Sequence, residues 1–231
     1  VAMIAGIPYI ALQLKALSAS ADVMLGLHEG GGPLAFGIDT ALIITVTMAA
    51  FAILFGTRQI DATETHQGMV LAVAFESIIK LTAFLTVGVF VTFFLYDGLA
   101  SITAAARAAG HGELLLMPRG WQYLDWFLMV MLAASVIFVL PRQFHVAVIE
   151  NVDEEHIRTA TWAFPTYLLL INIFVVPIAL AGRLAGIEDN DLIVLFLPLE
   201  ADAPWLALFV YIGGLSAATA MIIVTSVALS T

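Results

Sequence analysis

The stretch GMVLAVAFESIIKLTAFLTVGVFVTFFLY (68–96) decides the fold class, because it is apolar almost throughout and carries two charges, Glu76 and Lys80. A hydrocarbon core roughly 30 Å thick is crossed by about 20 apolar residues in a helix that rises about 1.5 Å per residue. Strands of a membrane barrel would be shorter and would alternate in polarity. Working outward from 68–96, comparable apolar segments lie at about residues 1–18, 37–56, 123–140, 160–182 and 204–230. With 62% hydrophobic residues, 11% charged residues and a mean hydropathy of +1.04, the chain is far more apolar than a soluble domain. The sequence therefore predicts an all-α integral membrane protein with about six transmembrane helices.

Several function classes fall away on composition. A net charge of -10 argues against nucleic acid as a partner. With no cysteine there is no disulfide framework, thiolate metal site or catalytic thiol. No nucleophile arrangement, phosphate-binding loop or dinucleotide fingerprint occurs, so nothing in these residues supports catalysis. No cleavable signal is evident, and both ends lie inside apolar segments, so the chain reads as one partial membrane domain, 1–231, of a longer protein.

The links between segments carry most of the polar residues. Residues 30–33 form a Gly-rich turn, 57–67 and 142–158 are short charged links, 97–122 is a longer loop, and 188–202 is acidic. The last contains DLIVLFLPL (191–199), a short surface segment that cannot span a membrane. Arg58, Arg142 and Arg158 fall on one side and Arg107, Arg119 and Arg183 on the other, so basic residues leave the orientation undecided.

Glu76 and Lys80 stand four residues apart with the carboxylate first, the more favourable order on a helix face. In a helix begun near Gly68, Lys80 lies roughly 18 Å along it, deep in the bilayer. A charge there costs about 2.5–3.5 kcal/mol on insertion scales, so both should face protein or a wet cavity. Two readings are open: a structural pair that locks helices, or a partner in an ion or solute path. The small-residue run GGLSAATA (213–220) likewise reads as a close-packing face or as a hard-cation site using Ser216 and a carbonyl near Gly213. Glu64 and His66 in the first charged link are weak as a metal pair and read better as a solvated helix entry. Pro141 should end the helix before it, and the link that follows reads as an interfacial connector or a moving gate. Pro165 and Pro177, with Asn172 between them, permit bends in the fifth segment.

Three stretches carry a resemblance: FGTRQIDATETHQGMVLAVAFESIIKL (55–81), LPRQFHVAVIENVDEEHIRTATWAFPTYLLLINIFVVPIA (140–179) and GGLSAATAMIIVTSVALST (213–231). In this order they resemble the sodium/solute symporter family, in the branch fused to bacterial sensor histidine kinases. The resemblance implies a five-plus-five inverted-repeat fold of which this chain holds core helices three to eight, with the first core helix outside it. It implies a multi-pass protein of the bacterial cytoplasmic membrane, with a small-molecule solute, sodium ion, lipid bilayer and cytoplasmic kinase domains as partners. The 57–67 and 142–158 links would be cytoplasmic, and the 188–202 loop periplasmic.

Carried over by position, the family's sodium ligands on the eighth core helix fall on Gly213, Ser216 and Ala217. The last has no side-chain oxygen, which puts tight sodium coupling in doubt. The substrate region of the sixth core helix falls on Ala133, Ala134 and Ser135, apolar and small, which favours an amino acid or small carboxylate over a sugar. The acidic position at the start of the fifth core helix falls on Glu64. The implied function is transport or sensing of a small solute as the input to a kinase. A stand-alone symporter and a binding-only sensor that has lost transport are the alternatives. On this placement Glu76 and Lys80 form an internal lock beside the cation path.

Overall fold

The computed structural model describes residues 2–27, 39–53, 67–116, 120–139, 151, 153–187 and 189–230. Among them the chain is helical and has no strand. The order is α1 (Ala2–Met24), α2 (Thr40–Phe51), α3 (Gln67–Val89), a π-helical turn (Phe90–Leu95), α4 (Leu99–Ala108), a 3-10 turn (Gly112–Leu115), α5 (Gln122–Val139), α6 (Glu154–Asn172), α7 (Val175–Leu184), α8 (Ile193–Glu200) and α9 (Pro204–Ser230). Among the described residues, three stretches are long and apolar enough to cross a membrane: Leu71–Leu95, Glu155–Leu184 and Pro204–Ser226. Helices α1, α2 and α5 occupy the other three apolar segments. Large apolar side chains such as Leu71, Phe94, Trp121 and Leu169 stand out on the surface, which hydrocarbon solvates and water would not.

Local chemistry sets the helix ends. Asp39 caps α2 by accepting from the Ala41 N–H at 3.2 Å, and Asp153 caps α6 by accepting from the Glu155 N–H at 2.9 Å. α4 and α7 end alike, in the sequences Arg107-Ala108-Ala109-Gly110 and Arg183-Leu184-Ala185-Gly186. Each glycine takes a left-handed backbone, at φ 86° and 76°, and the next N–H reaches back to the last helical turn.

α9 is the centre of the assembly, packed against α3 on one side and α1 on another, with α2 and α8 behind. One core joins Val87 and Val91 of the first span to Ile178 and Ala181 of α7, Ile193 and Leu197 of α8, and Leu206 of α9. A second joins Leu17 of α1 and Met48 of α2 to Ala218 and Ile222 of α9.

Three expectations are corrected or sharpened here. The 97–122 loop contains α4, whose Ile102 and Ala106 bury against Leu180 of α7. The expected surface segment in 188–202 is α8, and its Ile193, Leu195, Leu197 and Pro198 are buried, because α7 and α9 close over it. The fifth segment is two helices, broken at Ile173 and Phe174. Pro177 explains the break: its ring has no N–H to give the Ile173 carbonyl and would collide with it in a continuous helix. Pro165 sits inside α6 without ending it. The turn at 30–33, Arg58, Glu64, His66, Arg119, Pro141 and Arg142 lie outside the described residues.

Candidate functional site: an ion pair at membrane depth

α3 brings Glu76 and Lys80 one turn apart on a single face, as their spacing requires. Lys80 Nζ donates to Glu76 Oε1 at 3.3 Å. The two are not equally sheltered: the Glu76 side chain is 6% exposed and that of Lys80 26%. Counted from Leu71, Lys80 stands roughly 14 Å into its span, near the middle of the helix.

The pair opens on a cavity of about 530 Å³ walled by α3, α6 and α9. α6 contributes Ala163, Phe164 and Tyr167, and α9 contributes Ala220, Met221 and Val224. The Tyr167 hydroxyl donates across the cavity to the Ser77 carbonyl at 3.3 Å, while Ser77 turns its own hydroxyl back to the Val73 carbonyl at 2.9 Å. Behind the cavity, Tyr9 of α1 donates to the Met221 sulfur at 2.8 Å. The chamber is thus mostly apolar, with an ammonium, a phenol and a recessed carboxylate on its walls, the composition of a ligand pocket.

At Gly213, α9 lies close against α3 beside this pair. A Cβ built on it would lie 3.0 Å from Ala83 Cβ and 3.7 Å from Lys80 Cα, so the missing side chain is what lets the two helices touch. A Cβ on neighbouring Gly214 would meet nothing within 4 Å. Gly213→Val is therefore expected to lower stability by about 1–3 kcal/mol through overpacking. Gly214→Ala should be neutral or raise it by up to about 1 kcal/mol on helix propensity. Thermal melts of the two detergent-solubilised variants, read by size-exclusion fluorescence, check the contrast.

The remaining expected site residues are dispersed. Ser216 is half-buried on α9, and Ala217 lines a separate cavity of about 300 Å³ shared with Gln13 of α1, Asp191 and Tyr211. α9 runs unbroken through Gly213, so the carbonyl there stays in the helix ladder toward the N–H four residues on. One hydroxyl and one helix-bonded carbonyl supply at most part of the oxygen cage a hard cation takes. Among the described residues no group of three or more His, Asp or Glu side chains comes together either. Ala133 and Ala134 are exposed on α5, and Ser135 donates to the Met131 and Leu132 carbonyls of its own helix.

No family model, curated protein or solved structure matches this chain. Its own geometry supplies what can be said of the site. Reasoning from sequence missed Tyr167 and Phe164, although a phenol inside an apolar span is itself a signal, since its hydroxyl needs a partner there.

Proposed function

We propose that this chain is part of the membrane domain of a sodium/solute-symporter-type protein that binds a small solute as a transporter or as the input of a sensor histidine kinase. The observation that carries the reading is the Glu76–Lys80 pair, held at membrane depth and facing a ligand-sized cavity. Ionisable groups in such places mark solute and ion paths. The break at Ile173 and Phe174 supports it as well, because interrupted spans are a recurrent device for alternating access. The six-span count, the inverted repeat and the bacterial inner membrane belong to this proposal, on the strength of the sequence resemblance. On this reading a solute that prefers one helix arrangement shifts the population toward it, and a fused kinase reads the shift.

A binding-only sensor is the second reading, favoured by Ala217, which offers no oxygen where the family pattern has a hydroxyl. Reconstituting the full-length protein in proteoliposomes with and without an inward sodium gradient separates the readings. Transport predicts saturable accumulation of labelled solute, and Ala217→Ser should steepen its sodium dependence several-fold. Saturable binding without accumulation supports the sensor. Absence of both rejects the proposal.

A further inference from the structure

We infer that the cavity between α3, α6 and α9 binds a small monocarboxylate with an apolar body, its carboxylate held by Lys80 Nζ and the Tyr167 hydroxyl. The inference deepens the reading of a solute-binding membrane domain and names the class of solute for this cavity.

The polarity of the walls decides the class. Lys80 is the more exposed member of the ion pair, and an ammonium has three donors, of which one meets Glu76 Oε1. Glu76 is sunk to 6% exposure and its Oε1 already accepts from Lys80. Among the described residues that line the cavity Glu76 is the one carboxylate, so the side presented to a ligand is the donor side. Tyr167 adds a second donor: its present acceptor, the Ser77 carbonyl, is a long 3.3 Å away and also belongs to the α3 ladder. Re-aiming the phenol toward a carboxylate leaves that carbonyl bonded.

Phe164, Met221 and Val224 make the rest of the wall, a surface for methylene or aromatic groups and not for further polar ones. A second carboxylate at the far end of the ligand would be desolvated there without a partner, and the α-ammonium of an amino acid would sit beside the like-charged Lys80, the more exposed member of the pair, with Glu76 sunk behind it. A volume of about 530 Å³ suits a molecule of several carbons.

Binding of labelled butyrate and benzoate to the full-length protein in lipid nanodiscs, with alanine, succinate and glucose as competitors, tests the assignment. Saturable binding of a monocarboxylate is expected, displaced by other monocarboxylates and poorly by alanine, succinate or glucose. Tyr167→Phe removes one charge-assisted hydrogen bond and should weaken binding about tenfold. Ala163→Leu fills the chamber while leaving the ion pair in place, and should abolish binding in a protein that still runs as a folded species. These two variants carry the test without disturbing Lys80.

No monocarboxylate binding by the folded protein, binding unchanged in both variants, or equal displacement by alanine overturns the inference. If a different solute accumulates under a sodium gradient while butyrate and benzoate do not bind, the inference fails and the symporter reading stands. If butyrate binds, yet no solute is accumulated and no kinase output responds, the symporter reading fails and the site stands.

Discussion

Lys80→Met is expected to be among the most damaging single changes in this chain, lowering stability by about 3–5 kcal/mol. It keeps the length and apolar stem of the side chain and removes the cation 3.3 Å from a carboxylate that is almost wholly buried. Glu76 then holds a negative charge at membrane depth without its ammonium, or takes up a proton; either route is unfavourable. The companion variant Glu76→Leu/Lys80→Met should recover most of the loss. An apolar pair of similar volume needs no compensation in hydrocarbon, and replacing both members of a buried pair is often neutral. The charge swap, Glu76→Lys with Lys80→Glu, should recover less, since it puts the long ammonium at the sunken position and reverses the favourable order along the helix. Thermal melts of the four proteins in one detergent, combined as a double-mutant cycle, measure the coupling. A Lys80→Met protein as stable as the parent would show that the pair does not hold α3 in place.

Gly88→Ala is expected to disturb the fold at a second point, by about 1–3 kcal/mol or more. Gly88 is buried on α3 directly under the break between α6 and α7, and a methyl built on it would overlap the Phe174 side chain at Cβ and Cγ. The Phe174 Cβ does not move with χ1, so no rotamer of Phe174 clears it; the helices themselves must part. Phe174 also packs on the core around Val87, Ile178 and Leu197, so parting them opens that core. Phe174→Ala alone should cost about 3–5 kcal/mol as a cavity. In the Gly88→Ala/Phe174→Ala protein the added methyl no longer meets the ring but still meets the Cβ at 174, so the combined loss should fall only modestly short of the sum of the two. Gly182 makes a similar notch for Ile193 of α8, with atoms 2.6 to 2.9 Å from a built Cβ, the nearest being the branch methyl Cγ2; all of them move with χ1, which the Phe174 Cβ does not. The effect of Gly182→Ala should therefore be smaller.

These sites differ in how far they could be read without coordinates. Glu76 and Lys80 were legible as a pair, because spacing of four residues on a helix leaves little freedom. The Gly-rich run at 213–220 was legible as a stretch of small residues, but not which glycine mattered. Gly213 faces α3 and Gly214 faces open space, a distinction of one residue that depends on where the neighbouring helix lies. Gly88 gave no signal at all, since its role is defined by Phe174, 86 positions further along the chain. The helix in 97–122 could have been found from its Gly110 stop, which repeats the pattern at Gly186. The break after Asn172 could have been placed from Pro177 by counting back four residues.

By itself the sequence determined the solvent and the helical class of the fold. Apolar runs of this length admit only elements that satisfy their own backbone in hydrocarbon, and a helix does so residue by residue, without reference to the rest of the chain. It also determined that Glu76 would find Lys80, since both lie within one turn of one helix. The tertiary structure alone decided what that pair faces. That Tyr167 and Met221 close a chamber over Lys80, that Ala217 turns into a different cavity beside α1, and that Ala133 and Ala134 stand exposed on α5 all depend on how the helices dock. Docking in a membrane is governed by close packing of small residues and by scattered polar contacts, not by a hydrophobic pattern with a period, and such contacts join residues far apart in the chain.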